Sequence, residues 1–259
     1  MRQVWQGGGT ALGAWLSMRE PLVAETAALA GYDYVCIDMQ HGLQSYEHAI
    51  TMLYAMARTE TTPIVRVPWN EPGIIGRVLD VGAYGVVIPM VNTADEARAA
   101  VSSCFYGPKG SRSMGPAGVS ARTGREGYFT TANDRVLCIP MIETKQAVEN
   151  LDEILAVPGI DAVYVGPADL SITYGLAPGT DQDDAAWVGA LARIVERCEA
   201  HGVVPGIHAD ATLAPKRAAA GFRMITVGFD LSNAMAGLRG DLKKARENSV
   251  AVSVPSMRG

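Results

Sequence analysis

Several familiar markers are scarce in this chain of 259 residues, and each scarcity removes a class. Four cysteines, Cys36, Cys104, Cys138 and Cys198, stand far apart with no CxxC pair, so a zinc ribbon or a thioredoxin-type motif has no support. Buried, reduced thiols are the reading. Basic residues are in the minority, 22 Lys and Arg against 27 Asp and Glu, for a net charge of −5. No basic stripe for nucleic acid is expected. No apolar run approaches the roughly 18 residues of a membrane span, and the first residues lack an apolar core followed by a cleavage site. A cytoplasmic protein without membrane contact is expected. Gly7-Gly8-Gly9 precedes the first strand instead of following one, which excludes a dinucleotide loop, and no phosphate cradle follows strands seven and eight. Neither an organic cofactor nor a phosphorylated substrate is predicted.

What the chain does hold is alternation. Short apolar, β-branched runs at 11–16, 34–39, 63–67, 85–91, 136–142, 162–165, 203–207 and 224–228 are each followed by a helix-like stretch. Thr93 and Glu96 form a capping box, Asn70 is read as an N-cap with Pro72 in the first turn, and Gly31, Gly82, Gly202 and Gly221 close helices. Strands apolar on both faces belong in a parallel sheet covered by helices. Eight such units in about 250 residues predict a (β/α)8 TIM barrel, taken as one domain over 1–259 with its core at about 11–247. Two segments break the rhythm. The connection 106–134 is long and rich in Gly, Ser and Arg, and the tail 248–259 is expected to be disordered or packed on a neighbour.

Active sites of such barrels form at the carboxyl ends of the strands, and the polar residues gather there. Asp38, Gln40 and His41 end strand two, Arg66 strand three, Glu143 strand five and Asp169 strand six; His208 and Asp210 end strand seven and Asp230 strand eight. Glu143 and Asp169, just past neighbouring strands about 4.8 Å apart, can converge on one hard cation. Two oxygen ligands without Cys or His suit Mg²⁺ or Mn²⁺, with Co²⁺ a third option. Arg66 offers a planar fork for a carboxylate, and the Ala168 amide further donors. A 2-oxo acid is the simplest guest. His41, its tautomer set by Asp38, can move a proton. Together these make an enolate-forming or C–C-cleaving site. No lysine lies in the predicted strands, which argues against a Schiff base.

The segments DMQHG, VRVPWNEP, LDVGAYGVVIPMVNTADEA, IET and VGPADLS resemble the HpcH/HpaI family of metal-dependent pyruvate aldolases, over roughly residues 12–238. The resemblance implies a (β/α)8 barrel and reversible cleavage of 4-hydroxy-2-oxo acids to pyruvate, or hydroxypyruvate, and an aldehyde through an enolate on the metal. It implies that Glu143 and Asp169 bind the metal, that Arg66 and the Ala168 amide hold the substrate carboxylate, and that His41 with Asp38 is the base. It also implies a homo-oligomer, a hexamer of dimers that exchange their last helix, with Asp80 reaching a neighbouring subunit's site. The other readings of the same site are oxaloacetate decarboxylation, a citryl-CoA-type lyase, and a non-catalytic 2-oxo acid binder.

Three positions depart from the family pattern: Gln40 where many relatives have Glu, Met141 where Gln is frequent, and His208 where a bulky aliphatic residue is common. All three are taken as substrate-facing, and His208 favours a donor with a polar 3-substituent. Trp15 and Trp69 are read as pocket walls. Lys109, Arg112, Arg122 and Arg125 give the long connection a local positive excess; a solvated loop is the plain reading, and the functional one has Arg112 or Arg122 meeting an anionic acceptor across a subunit interface. His48 and His201 are read as ordinary surface or capping residues.

Overall fold

The computed structural model describes residues 1–248, with side chains through 247, so the predicted tail from 249 onward lies outside the described residues. Eight strands, β1 (Ala11–Leu16), β2 (Tyr34–Asp38), β3 (Thr62–Arg66), β4 (Gly85–Ile88), β5 (Leu137–Ile142), β6 (Ala162–Val165), β7 (Val204–His208) and β8 (Met224–Phe229), pair in parallel in that order, and β8 returns to β1 to close a barrel. The helices in chain order are α1 (Arg2–Gln6), α2 (Pro21–Leu29), α3 (Tyr46–Met56), α4 (Pro72–Asp80), α5 (Ala94–Cys104), α6 (Ala117–Thr123) and α7 (Arg125–Arg135). They continue with α8 (Lys145–Glu149), α9 (Leu151–Leu155), α10 (Pro167–Thr173), α11 (Ala185–His201), α12 (Ala214–Ala219) and α13 (Asp230–Asn248).

The sequence dictates two cores. Strand residues of one parity, Trp15, Tyr34, Cys36, Ile64, Val87, Ile139, Met141 and Tyr164 among them, fill the barrel interior. The other parity packs against the helices, with Val35, Ile37, Val65, Val86, Val163 and Ile207 in that layer. Helix α11 illustrates the outer layer. Asp184 accepts the Ala186 and Trp187 amides at 3.0 Å, while Trp187, Ala190, Leu191, Ile194 and Cys198 recur at helical spacing and are buried. Gly202 ends the helix at φ 67°, in the left-handed region that glycine occupies without strain. Burying each large side chain of that stripe contributes about 1.5–3 kcal/mol, so a polar residue at Ile194 would break the contact. All four cysteines are free and buried.

Two expectations need correction, and one element was not foreseen. The N-cap of α4 is Glu71, one residue beyond Asn70, whose amide instead donates to the Glu96 carbonyl at 2.9 Å. The connection 106–134 is partly helical, as α6 and α7, and packs through buried Val119, Tyr128 and Ala132. Residues before the first strand form α1, which plugs the amino-terminal mouth of the barrel: Met1, Val4 and Trp5 pack on the interior core, and Trp5 Nε1 donates to the Arg223 carbonyl at 2.9 Å. No described helix is long and apolar enough to cross a membrane.

Candidate active site

The carboxyl ends of the strands surround a cavity of about 250 Å³, and Trp15, Asp38, His41, Arg66, Glu143 and Asp169 all line it. Met141, Ala168 and His208 line it too. Register explains the convergence. Met141 pairs with Tyr164 and Ile142 with Val165, so the next residue on each strand sets Glu143 opposite Gly166. A Cβ on Gly166 would fall 2.4 Å from Glu143 Oε2, so glycine here is what lets the carboxylate lie across the end of β6. Pro167 then occupies the first turn of α10, which places Asp169 in that turn with no hydrogen bond among the described residues.

Glu143 is 2% exposed, and its Oε1 accepts the Met90 amide at 2.8 Å. Met90 has φ 57°, a conformation costly for a residue with a side chain, and it turns that amide inward at the end of β4. Burial, opposed by the Met90 hydrogen bond and reinforced by Asp169, pushes the Glu143 carboxyl up to about 7. Two carboxylates, one of them buried and underpaired, form an acceptor set that a divalent cation satisfies. Among the described residues no group of three or more His, Cys, Asp or Glu stands ready to enclose an ion, so such a site would stay open to water and substrate oxygens.

Asp38 and Arg66 face each other across β2 and β3 in register. The guanidinium is bidentate on the carboxylate, Nε to Oδ1 at 2.8 Å and Nη2 to Oδ2 at 2.6 Å, with side chains 3% and 11% exposed. Burial opposes ionisation of Asp38, but the Arg66 hydrogen bonds and charge outweigh it and hold the carboxyl below its ordinary value. The Gln40 and His41 amides also donate to Asp38 Oδ1, at 3.0 and 3.2 Å. This corrects the expected pairing: Asp38 holds Arg66 and the backbone of the His41 loop, not the imidazole, because the neighbouring strand presents a better-matched fork. One edge of Arg66, two of its five N–H groups, is thereby committed, and the remaining N–H groups are those free for a ligand.

Other candidates fall elsewhere. Gln40 does not line the cavity, and its buried Oε1 lacks a partner among the described residues. Trp69 is exposed and belongs to a separate depression with Asn70, Met90 and Asn92. Asp80 and Arg112 are bonded to each other at 2.6 Å, with Arg112 buried against Tyr128. Arg122 lies over Tyr54 and donates to the Val81 carbonyl at 3.3 Å. None of these three lines this chain's own cavity. Asp210 and Asp230 fix turns: the first accepts the Thr212 and Leu213 amides, the second the Ser17 and Met18 amides. His48 shares the α3 capping box with Ser45, and His201 lies against Asp152. Ser17, Tyr164, Thr180 and Phe229 line the cavity without having been singled out. For Tyr164 and Phe229 the available signal was inward parity near a strand end.

A closed parallel barrel with two carboxylates, an anchored arginine and an exposed histidine around one open mouth is the architecture of a barrel enzyme that handles a small anionic substrate. The chain belongs to the HpcH/HpaI aldolase/citrate lyase family, whose profile matches residues 11–236, and it is a lyase. It is 40% identical over 247 residues to a hydroxypyruvate/pyruvate aldolase of Rhizorhabdus wittichii, covering 95% of this chain and 98% of that protein. It is 39% identical over 230 residues to a 4-hydroxy-2-oxo-heptane-1,7-dioate aldolase of Salmonella arizonae, covering 87% and 86%. An aldolase/citrate lyase family protein from Burkholderia cenocepacia superposes with a TM-score of 0.84 at 34% identity, over 92% of this chain and 95% of that one.

Proposed function

We propose that this chain is a divalent-metal-dependent aldolase that reversibly cleaves 4-hydroxy-2-oxo acids to pyruvate or hydroxypyruvate and an aldehyde. The observation that carries the reading is the meeting of Glu143, Asp169, Arg66 and His41 around one cavity. Glu143 and Asp169 would hold the cation, Mg²⁺ or Mn²⁺ with Co²⁺ a third option, and when bound it supplies Lewis-acid polarisation of the 2-oxo group. Arg66, kept in place by Asp38, orients the substrate carboxylate with its free N–H groups. His41, exposed on the loop that Asp38 ties down, takes the 4-hydroxyl proton. As that proton leaves, the C3–C4 bond breaks, the aldehyde departs, and the bonding pair passes to C3 as an enolate that is then protonated. Trp15 and Met141 wall the cavity. A cavity of about 250 Å³ fits a small 2-oxo acid.

Pyruvate release from 4-hydroxy-2-oxoheptanedioate and 4-hydroxy-2-oxovalerate, coupled to lactate dehydrogenase, tests this. Turnover should stop with EDTA and return with Mn²⁺ or Mg²⁺. Chelator-insensitive turnover, or a covalent adduct trapped by borohydride with pyruvate, overturns the mechanism; tight pyruvate binding without turnover favours a binding protein.

The quaternary reading is a homo-oligomer, a hexamer of dimers exchanging α13, in the cytoplasm. Its support is that α13 is exposed along nearly its whole length, with Leu231, Met235, Leu238 and Leu242 on one face. Beside it an apolar groove of about 350 Å³, lined by Leu16, Leu22, Val23, Ala27 and Tyr32, is open where an eighth outer helix would pack. A partner's α13 matches that groove, and Asp80 and Arg122 would then serve a neighbouring mouth, with Arg112, its side chain 1% exposed, holding Asp80 in place.

A further inference from the structure

Inside the barrel, below the cavity, three hydroxyls and one imidazole from four different strands form a line. Tyr34 of β2 meets Thr226 Oγ1 of β8 at 2.9 Å, Thr226 Oγ1 meets the Tyr164 hydroxyl of β6 at 2.5 Å, and that hydroxyl meets His208 Nδ1 of β7 at 3.2 Å. Tyr34, Tyr164 and Thr226 are fully buried. Space for both rings comes from glycines on adjoining strands: a Cβ on Gly13 would lie 2.1 Å from the Tyr34 ring, and one on Gly206 would lie 2.9 Å from the Tyr164 ring. The interior is shaped to admit the chain of hydroxyls.

We propose that this chain holds His208 as the Nε2–H tautomer, presenting a neutral donor to the cavity for the oxygen on carbon 3 of hydroxypyruvate. The inference deepens the aldolase reading and rests on it for the substrate. The proposed proton order sets the tautomer. Tyr34 stands at the blind end, and in this order it donates to Thr226 Oγ1, 2.9 Å away. Thr226 then gives its own proton to Tyr164, and Tyr164 gives its proton to Nδ1. The opposite order, begun at Nδ1–H, would turn the Tyr34 proton back onto the Tyr164 hydroxyl, which would then accept from two donors, whereas the proposed order gives each acceptor one. With Nδ1 accepting, a neutral imidazole carries its hydrogen on Nε2.

That nitrogen has no hydrogen-bond partner among the described residues, and His208 lines the cavity between Trp15 and Phe229, with ring centroids 5.1 and 4.5 Å away. Burial and the nearby Arg66 charge push the imidazole down to about 4, so it is uncharged at neutral pH. Arg66 already supplies the cation for a carboxylate. An uncharged N–H is matched instead to an uncharged hydroxyl oxygen, which hydroxypyruvate carries and pyruvate lacks.

The test uses the metal-loaded full chain with glycolaldehyde as acceptor, comparing kcat/KM for hydroxypyruvate and pyruvate in wild type, Tyr164→Phe and His208→Leu. The hydroxypyruvate-to-pyruvate ratio should fall about tenfold in both variants, the size of one net hydrogen bond. In parallel, ¹⁵N-histidine NMR of the wild type, with His208 assigned by its absence in His208→Leu, should show protonated Nε2 and bare Nδ1. Hydroxypyruvate should shift the His208 Nε2 resonance and pyruvate should not. Equal losses for both donors, an Nδ1–H tautomer, or identical shifts from both acids would overturn the proposal. If neither donor turns over in the wild type, the aldolase reading fails, while the tautomer and the ligand-induced shifts still decide this inference.

Discussion

Replacing Glu143 by Gln should make the metal-free protein more stable while removing its metal affinity. The carboxyl is 2% exposed and titrates near 7 instead of 4.5, with burial the main cause and Asp169 adding to it. A raised acid pKa means that the folded state binds the proton more tightly than the unfolded state. The Glu143 contribution to stability is therefore full below the unfolded value and is lost as pH rises from about 4.5 to about 7. At roughly 1.4 kcal/mol per pH unit, the loss at pH 8 is about 3 kcal/mol. Gln keeps an oxygen for the Met90 amide and carries no charge, so Glu143→Gln should recover most of that energy at pH 8 and little at pH 4.5. For a chain of this length the gain corresponds to about 6–12 °C in Tm. Urea unfolding after EDTA treatment, at both pH values, is the assay, with isothermal titration of Mn²⁺ alongside. A variant equally or less stable than wild type at pH 8, or one with the same difference at both pH values, would refute the reasoning.

Asp38→Asn leaves the Arg66 charge buried without its partner and should cost about 3–5 kcal/mol in urea unfolding at pH 7. Because Asp38 is held below its ordinary pKa, that contribution is present above about pH 4 and should disappear as wild type is acidified through the folded value, so the two proteins should converge there. Gly13→Ala drives a methyl into the Tyr34 ring and should destabilise by about 1–3 kcal/mol, whereas Gly13→Ala with Tyr34→Ala should relieve the clash, a non-additivity readable by a double-mutant cycle. Leu238→Lys with Leu242→Lys places charge on the exposed face of α13 and should shift the sedimentation coefficient toward the monomer without altering the barrel's circular dichroism.

The barrel was legible because its strands are buried on both sides and so read as apolar runs wherever they fall. Their ends were less so. β4 stops at Ile88, short of the run to 91, because Met90 adopts a left-handed turn that hydrophobicity does not reveal. Helices α6 and α7 were read as loop since they are short and polar and are fixed by distant partners, such as Gly118 lying against Tyr54 and Val81. In the site, residue types at strand ends located the mouth, but pairing did not follow chain proximity. Asp38 is three residues from His41, yet its carboxylate goes to the strand beside it, an outcome set by register. The Tyr34 to His208 line joins four strands whose residues lie up to 192 positions apart, a separation at which no local pattern speaks.

The two interior glycines carry an implication for how such a site can change over generations. A chain with any side chain at position 13 has no room for a ring at 34, and position 206 constrains 164 in the same way. The ring can be exchanged while the glycine stays, but the glycine cannot gain a side chain until the ring has gone, and at 206 the Val163 carbonyl stands in the way as well. A polar histidine at the rim thus has its preconditions at the opposite wall of the barrel, in residues that never touch a substrate. Grafting His208 alone onto a relative with a filled interior would transplant the ring without the hydroxyls that orient it.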